Sequence, residues 1–349
     1  MKKIGLLIIS KNNYDLLETW FNNYNYENFE ILNIDDGSSD DQLNLGKFIS
    51  SKLNINFLKS DKLGVQNNIK QSIIFFKKLN IEWIIYQHHD SYPLTKNLNQ
   101  KLQHYINNSK INDFGVIGFN VFDTINENIN QYEENKVNSL RTVSRSPLEL
   151  GDGWYRIRKG SRVNYQNFDK PFAVESVMWS AALFNGTKFL ECIDIDDDYQ
   201  FFHAWDDIAF QFLRKNIYNI VIPDIHFAHD QNIKQKFSIP VSSANANLKD
   251  RNYFWGHFNH HSVWERKWKF KYDLSKSKFY IFKLNFPVLY KTFNRLVKYI
   301  TGKEIYEFDE LETVARKTFK KNLKEFNNTL LVDFYNHDPK KGPLKKFDI

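Results

Sequence analysis

The stretch Phe29-Glu-Ile-Leu-Asn-Ile-Asp-Asp-Gly-Ser-Ser-Asp40 decides how this chain of 349 residues is read. Residues 29–34 suit a strand buried in a sheet, and that strand stops at a polar turn, residues 35–40. Upstream, Ile4-Gly-Leu-Leu-Ile-Ile9 is a continuous apolar run, the pattern of a strand covered on both faces of a parallel sheet. Between them, residues 14–24 carry Leu16, Leu17, Trp20 and Phe21 at helical spacing. Downstream, residues 43–53 read as a helix and 55–58 as a short strand. Residues 64–79 read as a helix with the stripe Ile69, Ile73, Phe76 and Leu79, and 83–86 as a fourth strand. Strand and helix thus alternate over the first 95 residues or so, which predicts a parallel α/β sheet with right-handed crossovers.

Polar clusters follow three of these strands: Ser10-Lys11-Asn12, Asp35-Asp36 and His88-His89-Asp90. Ligands of open α/β sheets bind along the carboxyl edge of the strands, so the three clusters mark a candidate site. Beyond residue 114 the pattern is mixed. Residues 114–122 suit a strand, 124–164 a polar, turn-rich loop with Gly151-Asp-Gly153, and 174–184 an apolar segment. Asp194-Ile-Asp-Asp-Asp198 reads as an acidic turn, 205–214 as a helix, 217–222 as a strand, and 224–230 as a polar, His-bearing segment. After about residue 240, Lys and aromatic residues interleave, and 308–326 reads as a charged helix.

Composition bounds the function. At 42% hydrophobic and 16% aromatic residues the chain can bury a core, which argues against extensive disorder. A net charge of +7 favours anionic partners: nucleotides, phospholipid headgroups or nucleic acid. The single cysteine, Cys192, allows no intramolecular disulfide and no Cys-based zinc site, which fits a reducing compartment. Residues 4–9 are too few for the apolar core of a signal peptide, and no stretch reaches the roughly 20 apolar residues that span a bilayer. A cytoplasmic location is therefore expected.

Four constellations could carry chemistry. In the turn at 35–40, a carboxylate can accept a hydrogen bond from a nucleobase N–H; a plain acidic turn is the alternative. At His88-His89-Asp90, carboxylate and imidazole suit Mg²⁺ or Mn²⁺ bridging a diphosphate; alone, a polar strand end making structural hydrogen bonds has the better odds. Trp205-Asp206-Asp207 opens a helix, where one carboxylate can cap the helix or meet an acceptor and the other face a cleft as a general base. The alternative there is an acidic pair complementing the helix dipole. His226-Phe-Ala-His229-Asp230 could complete a metal shell, although His-x-x-His alone is a weak signal. Zincin, nucleophile-elbow and phosphate-loop motifs are absent from the sequence.

Together these pieces resemble the GT-A glycosyltransferases, most closely the family-2-like inverting group. Ile31-Leu-Asn-Ile-Asp-Asp-Gly-Ser-Ser-Asp40 is similar to that group's second-strand signature, residues 4–12 to its opening strand and turn, and Leu63-Gly64-Val-Gln-Asn67-Asn68 to the loop and helix start after its third strand. His88-His89-Asp90 stands where the group has an Asp-x-Asp metal motif, with His88 replacing the first Asp. Asp206-Asp207 falls at its Glu-Asp pair, His229 at a late metal or diphosphate His, and Arg266-Lys267-Trp268 resembles a Lys-Trp motif that follows its core. The likeness covers residues 3–270.

What the resemblance implies is specific. The fold would be α/β, a GT-A-type, Rossmann-like, mostly parallel sheet flanked by helices. A catalytic domain would span 1–240 and a mainly helical aromatic and basic extension 241–349. Ser10, Asn12, Asp35, Asp36, Gly64 and Asn67 would bind the nucleotide. Asp90, His88 and His229 would hold a divalent metal, Mn²⁺ or Mg²⁺. Asp207 would be the base, with Asp206 beside it. Trp179 and Trp205 are candidates for a sugar surface, with core packing the even alternative. The partners would be a nucleotide-sugar donor and a glycan or lipid-linked acceptor, and the reaction a single inverting displacement in surface polysaccharide synthesis. A sugar nucleotidyltransferase is disfavoured because Ser10-Lys11-Asn12-Asn13 is not a Gly-rich basic loop. A non-catalytic nucleotide-sugar-binding protein stays open, and a nucleic-acid binder ranks last for want of a motif. Residues 279–299 have the pattern of a helix on an anionic membrane surface, which would place the protein peripherally at the inner face; packing on the catalytic domain is the alternative.

Overall fold

The computed structural model describes residues 2–14, 17, 18, 21, 26–89, 91–123, 144–145, 169–177, 179–197, 204–229, 265–269, 282, 285–301, 319–337 and 343–349. The expected loop at 124–164 falls almost wholly outside these residues, as do Asp90, Asp198, Asp230 and 308–318 of the expected charged helix.

From β2 onward the amino-terminal alternation is present as read, while most of the helix expected at 14–24 lies outside the described residues. Strands β1 (Ile4–Ser10), β2 (Phe29–Asp35), β3 (Asn56–Lys59) and β4 (Trp83–Gln87) run parallel in the order β3-β2-β1-β4. Helix α1 (Asp40–Lys52) connects β2 to β3 and α2 (Val65–Lys78) connects β3 to β4. Side chains of β1 alternate: Ile4, Leu6 and Ile8 enter one core and Leu7 the other, so the strand is buried on both faces. The α2 stripe of Ile69, Ile73 and Phe76 covers the Leu7 face. Gly5 permits the close approach, because a Cβ there would sit 2.9 Å from the Phe76 ring.

The remainder extends the sheet. Strand β5 (Ser91–Pro93) and helix α3 (Leu98–Ile106) follow β4; then come β6 (Val116–Asp123), β7 (Ser144–Arg145), β8 (Phe172–Val174), β9 (Ser176–Val177) and β10 (Ala181–Asn185). Helices α4 (Gly186–Cys192) and α5 (Ala204–Arg214) precede β11 (Asn219–His229). Among the described residues the main sheet has nine strands, in the order β3-β2-β1-β4-β10-β6-β11-β5 with β8 on β11; β7 and β9 form a separate pair. In the path, β10 and β5 run antiparallel to their neighbours, and β8 likewise. The expected strand at 217–222 continues to His229 through a register shift between Ile222 and His226, which absorbs Pro223 where a regular ladder would need an N–H.

The carboxyl-terminal residues return to this body. Phe319, Phe326, Leu330, Leu331 and Phe334 join the core on the α2 and α5 side. Helical residues 319–322 tighten into a 3₁₀ turn, Leu323–Phe326, followed by a short helix, Leu330–Asn336. At the end of the chain, Phe347 N–H donates to Pro171 O at 2.8 Å, and Ala173 N–H to Lys345 O at 2.8 Å.

Candidate active site

Parallel registers place the ends of β1, β2 and β4 along one sheet edge: Ser10 pairs with Asp35 and Leu7 with Tyr86, and antiparallel β10 begins there, with Ala181 paired to Gln87. The same edge carries the ends of β6 and β11, where Asp123 pairs with His229. The strand ends that carry Ser10, Asp35, Gln87 and His229 therefore lie on one side.

The nucleotide-side candidates divide by what they touch. Ser10 is buried, and its hydroxyl donates to Asn33 Oδ1 at 2.8 Å. Asp35 is buried beneath the turn, accepting from Tyr14 Oη at 2.6 Å and from the Gly37 and Ser38 N–H groups at 3.2 Å. Asn12, at φ 54°, ties the first loop to the second: its N–H donates to Ser38 Oγ, and its Oδ1 accepts from Ser39 N–H, each at 2.9 Å. These residues build the loops. Asp36 is different. Its Oδ1 accepts from Gly64 N–H and Asn68 Nδ2, both at 2.8 Å, and among the described residues its Oδ2 has no hydrogen-bond partner. Partial burial pushes its pKa up, and the two donors and Lys11 pull it down. Gly64 adopts φ 105°, which a side chain would resist, so glycine there lets the N–H reach Asp36. Asn67 turns instead toward the acidic turn, donating to Asp197 Oδ1 at 3.1 Å beside the Lys62–Asp197 ion pair.

The Asp206-Asp207 pair lies in the first turn of α5, and both residues are buried. Asp206 accepts from Ser176 Oγ at 3.1 Å. Asp207 is 0% exposed and receives four side chains: Gln66 Nε2 at 2.9 Å and Gln211 Nε2 at 2.7 Å on Oδ2, Trp268 Nε1 at 2.7 Å on Oδ1, and Lys267 Nζ at 2.9 Å. Burial raises its pKa, and Lys267 is the main opposing influence. Four donors occupy about as many lone-pair sites as a carboxylate has.

Gln66, Asn68, Lys267 and Trp268 complete the arrangement, and none was singled out for its contact from sequence. Gln66 carried a signal. It falls on the apolar stripe of α2, three residues before Ile69, where a buried polar side chain requires a partner. Its Oε1 also accepts from Asp196 N–H at 2.9 Å.

The metal-side candidates are partly described. His88 N–H donates to Ser180 O at 2.9 Å, and Ser91 N–H to His88 O at 3.1 Å, closing the turn between β4 and β5. His89 Nε2 lies 3.0 Å from Asn13 Nδ2. Asp90 and the side chain of His229 are outside the described residues. The backbone nevertheless pairs His229 with Ser91, the residue after Asp90. The His226 ring lies 3.0 Å from Pro223 O at the bulge. Among the described residues no group of three or more His, Cys, Asp or Glu side chains could hold a metal.

Trp179 and Trp205 stack on each other, ring centroids 4.6 Å apart, and Tyr86 lies 4.4 Å from Trp205. Both indoles are almost fully buried, so their faces are largely covered by packing. Among the described residues the Trp179 Nε1–H has no hydrogen-bond partner.

No protein-family model matches the chain, and no curated protein does. Among solved structures it is similar to GalNAc-T7 with UDP, GalNAc and Mn²⁺ (TM-score 0.44, 14% identity, 66% of this chain and 44% of that one). It is also similar to the mannosyltransferase PcManGT from Pyrobaculum calidifontis in complex with GDP-Man and Mn²⁺ (TM-score 0.44, 10% identity, 93% and 88%). A third is S. aureus TarS (TM-score 0.40, 14% identity, 93% and 55%). The chain thus spans less than half the length of GalNAc-T7 and about half that of TarS. With identities this low and TM-scores below 0.5, what this chain does has to be argued from its own residues.

Proposed function

We propose that this chain is a glycosyltransferase that moves a sugar from a nucleoside-diphosphate donor to a hydroxyl acceptor, with inversion. One observation supports it above the others. The first turn of α2 holds two distant carboxylates at once, Asp36 through Gly64 and Asn68, and Asp207 through Gln66. A carboxylate with one open oxygen at the end of β2 can read a nucleobase N–H. A second carboxylate, held from the same helix start, can serve the acceptor.

Asp36 Oδ2 would accept from the base, with Asn12 and the 35–40 turn shaping the pocket. Asp207 would take the acceptor proton. For that, one of its four donors must leave, and Lys267 is suited to it: its side chain is 20% exposed, while Gln66, Gln211 and Trp268 are buried. The acceptor hydroxyl would take the place of Lys267. Asp206, held by Ser176, would orient the acceptor.

The donor set fits a divalent ion. Asp90 offers carboxylate oxygen, His229 and His88 imidazole, and the β5–β11 register puts His229 opposite the neighbour of Asp90. Asp90, His229 and His88 would hold Mn²⁺ or Mg²⁺, which when bound neutralises charge on the departing diphosphate. The acceptor would be a glycan or a lipid-linked saccharide, and the product part of a surface polysaccharide made at the cytoplasmic side.

The test is a thermal-shift screen of nucleoside diphosphates and nucleotide sugars with and without Mn²⁺, followed by assay of released nucleoside diphosphate with the best donor. Stabilisation by one nucleotide, stronger with Mn²⁺ and lost in Asp36→Ala, is expected. No stabilisation by any of them would overturn the reading.

A further inference from the structure

Helix α6 (Pro287–Thr301) presents an apolar stripe to solvent. Leu289, Phe293, Leu296 and Ile300 recur four, three and four residues apart, which puts them on one face, and they are between 42% and 70% exposed. Tyr290, on the flank, is buried, its ring centroid 6.2 Å from that of Phe282. In the sequence, Lys291, Arg295 and Lys298 recur out of phase with that stripe at helical spacing. From Leu274 to Lys303 the sequence holds seven lysines and arginines and no aspartate or glutamate. The helix is about 22 Å long at 1.5 Å per residue, and its cations would be stranded in a bilayer core. Among the described residues no helix is long and apolar enough to cross a membrane.

We propose that α6 docks the protein on an anionic lipid surface, lying in the plane of the interface with the Leu289–Ile300 stripe among the acyl chains. Charge decides the occupant. An interfacial helix needs an apolar face, a cationic polar face and a negatively charged partner, and the first two are present. Pairing with a second copy would bring two such segments together, each with seven positive charges and no acidic residue to offset them. A bilayer containing anionic headgroups supplies both the apolar medium and the counter-charge.

The experiment is co-sedimentation of the full-length protein with vesicles of phosphatidylcholine alone, or of phosphatidylcholine mixed with phosphatidylglycerol, at low and high salt. Binding to the mixed vesicles is expected, weakened by salt. Replacing Lys291, Arg295 and Lys298 with Gln should weaken it by roughly a hundredfold, the effect of three basic side chains at an anionic surface. Leu296→Glu with Ile300→Glu should abolish it without lowering the melting temperature, because both side chains are exposed. An Asp36→Asn protein should bind vesicles like the wild type, which separates this inference from the transferase reading. Equal binding to both vesicle types, binding unaffected by the Leu296/Ile300 pair, or a wild-type dimer by light scattering that this pair makes monomeric would each overturn the proposal.

Discussion

Trp268 Nε1–H donates to Asp207 Oδ1 at 2.7 Å, joining the first turn of α5 to a segment 61 residues further along the chain. Both residues are 0% exposed. Trp268→Phe keeps most of the ring in a site packed by Phe210 and Phe326 but removes the donor. A hydrogen bond to a buried charged group contributes about 1.5–3 kcal/mol, so a loss in that range is expected by denaturant unfolding. Trp268→Ala adds a cavity, and a loss of about 3–5 kcal/mol is expected. If the Phe variant unfolds at the wild-type midpoint, the bond contributes nothing to stability.

Lys267 sets the protonation of the same carboxylate. Burial raises the Asp207 pKa, and the ammonium group opposes that rise. Lys267→Met removes the opposition, so the pKa of Asp207 moves further up. A base works only when ionised, so the acid limb of kcat/KM against pH should shift to higher pH, with the alkaline side unmoved. A limb that stays in place would show that Asp207 is not the group titrating in catalysis.

Gly46 of α1 lies against the Tyr14 ring, and an added Cβ would come within 2.4–2.8 Å of three ring atoms. Alanine gains up to about 1 kcal/mol in helix propensity, while overpacking a buried ring costs about 1–3 kcal/mol. The clash should win, because Tyr14 is buried and bonded to Asp35 and cannot swing away. Gly46→Ala should therefore lower the melting temperature, and nucleotide affinity with it, since Tyr14 and Asp35 hold the turn that carries Asp36. Calorimetry and nucleotide titration check both.

Asp90 and His229 should act together. With nucleoside diphosphate present, Mn²⁺ titrated into the chelator-treated protein should raise the melting temperature, and Asp90→Ala or His229→Ala should each weaken that response. The double variant should be no worse than the weaker single one if both ligate one ion. Additive losses would argue for separate roles.

The half-sheet β3-β2-β1-β4 was legible because apolar runs and helical stripes are local patterns. The Asp36 turn was legible because it directly ends one of those runs. What was not legible depends on long-range contact. Nothing near Gln66 says that its partner is Asp207, 141 residues away, and nothing near Lys267 says that its ammonium group meets that carboxylate. Strand β11 was cut short at residue 222 because Pro223 and Asp224 read as a break, whereas the bulge lets pairing resume at His226. The short β5 and α3 were passed over between stronger signals. The bonds of Asp35 to the Gly37 and Ser38 N–H groups, an Asx-like role, were not legible because adjacent aspartates look alike in sequence.

Asp36→Asn is the sharpest test of the nucleotide reading. The substituted amide can keep its oxygen toward Gly64 N–H and Asn68 Nδ2, so the local fold should hold and the melting temperature without ligand should stay near the wild-type value. The atom facing the pocket changes from an acceptor to an NH₂ donor. A base N–H would then meet a donor, and a charge-assisted hydrogen bond of about 1.5–3 kcal/mol would be lost. Converted at about 1.4 kcal/mol per tenfold, the Kd for the preferred nucleoside diphosphate should rise by roughly 10- to 100-fold in isothermal titration. The loss should be specific: a nucleotide whose base offers an acceptor where the preferred one offers N–H should lose little, or gain. An Asp36→Asn protein that binds every nucleotide as the wild type does would remove Asp36 from the site.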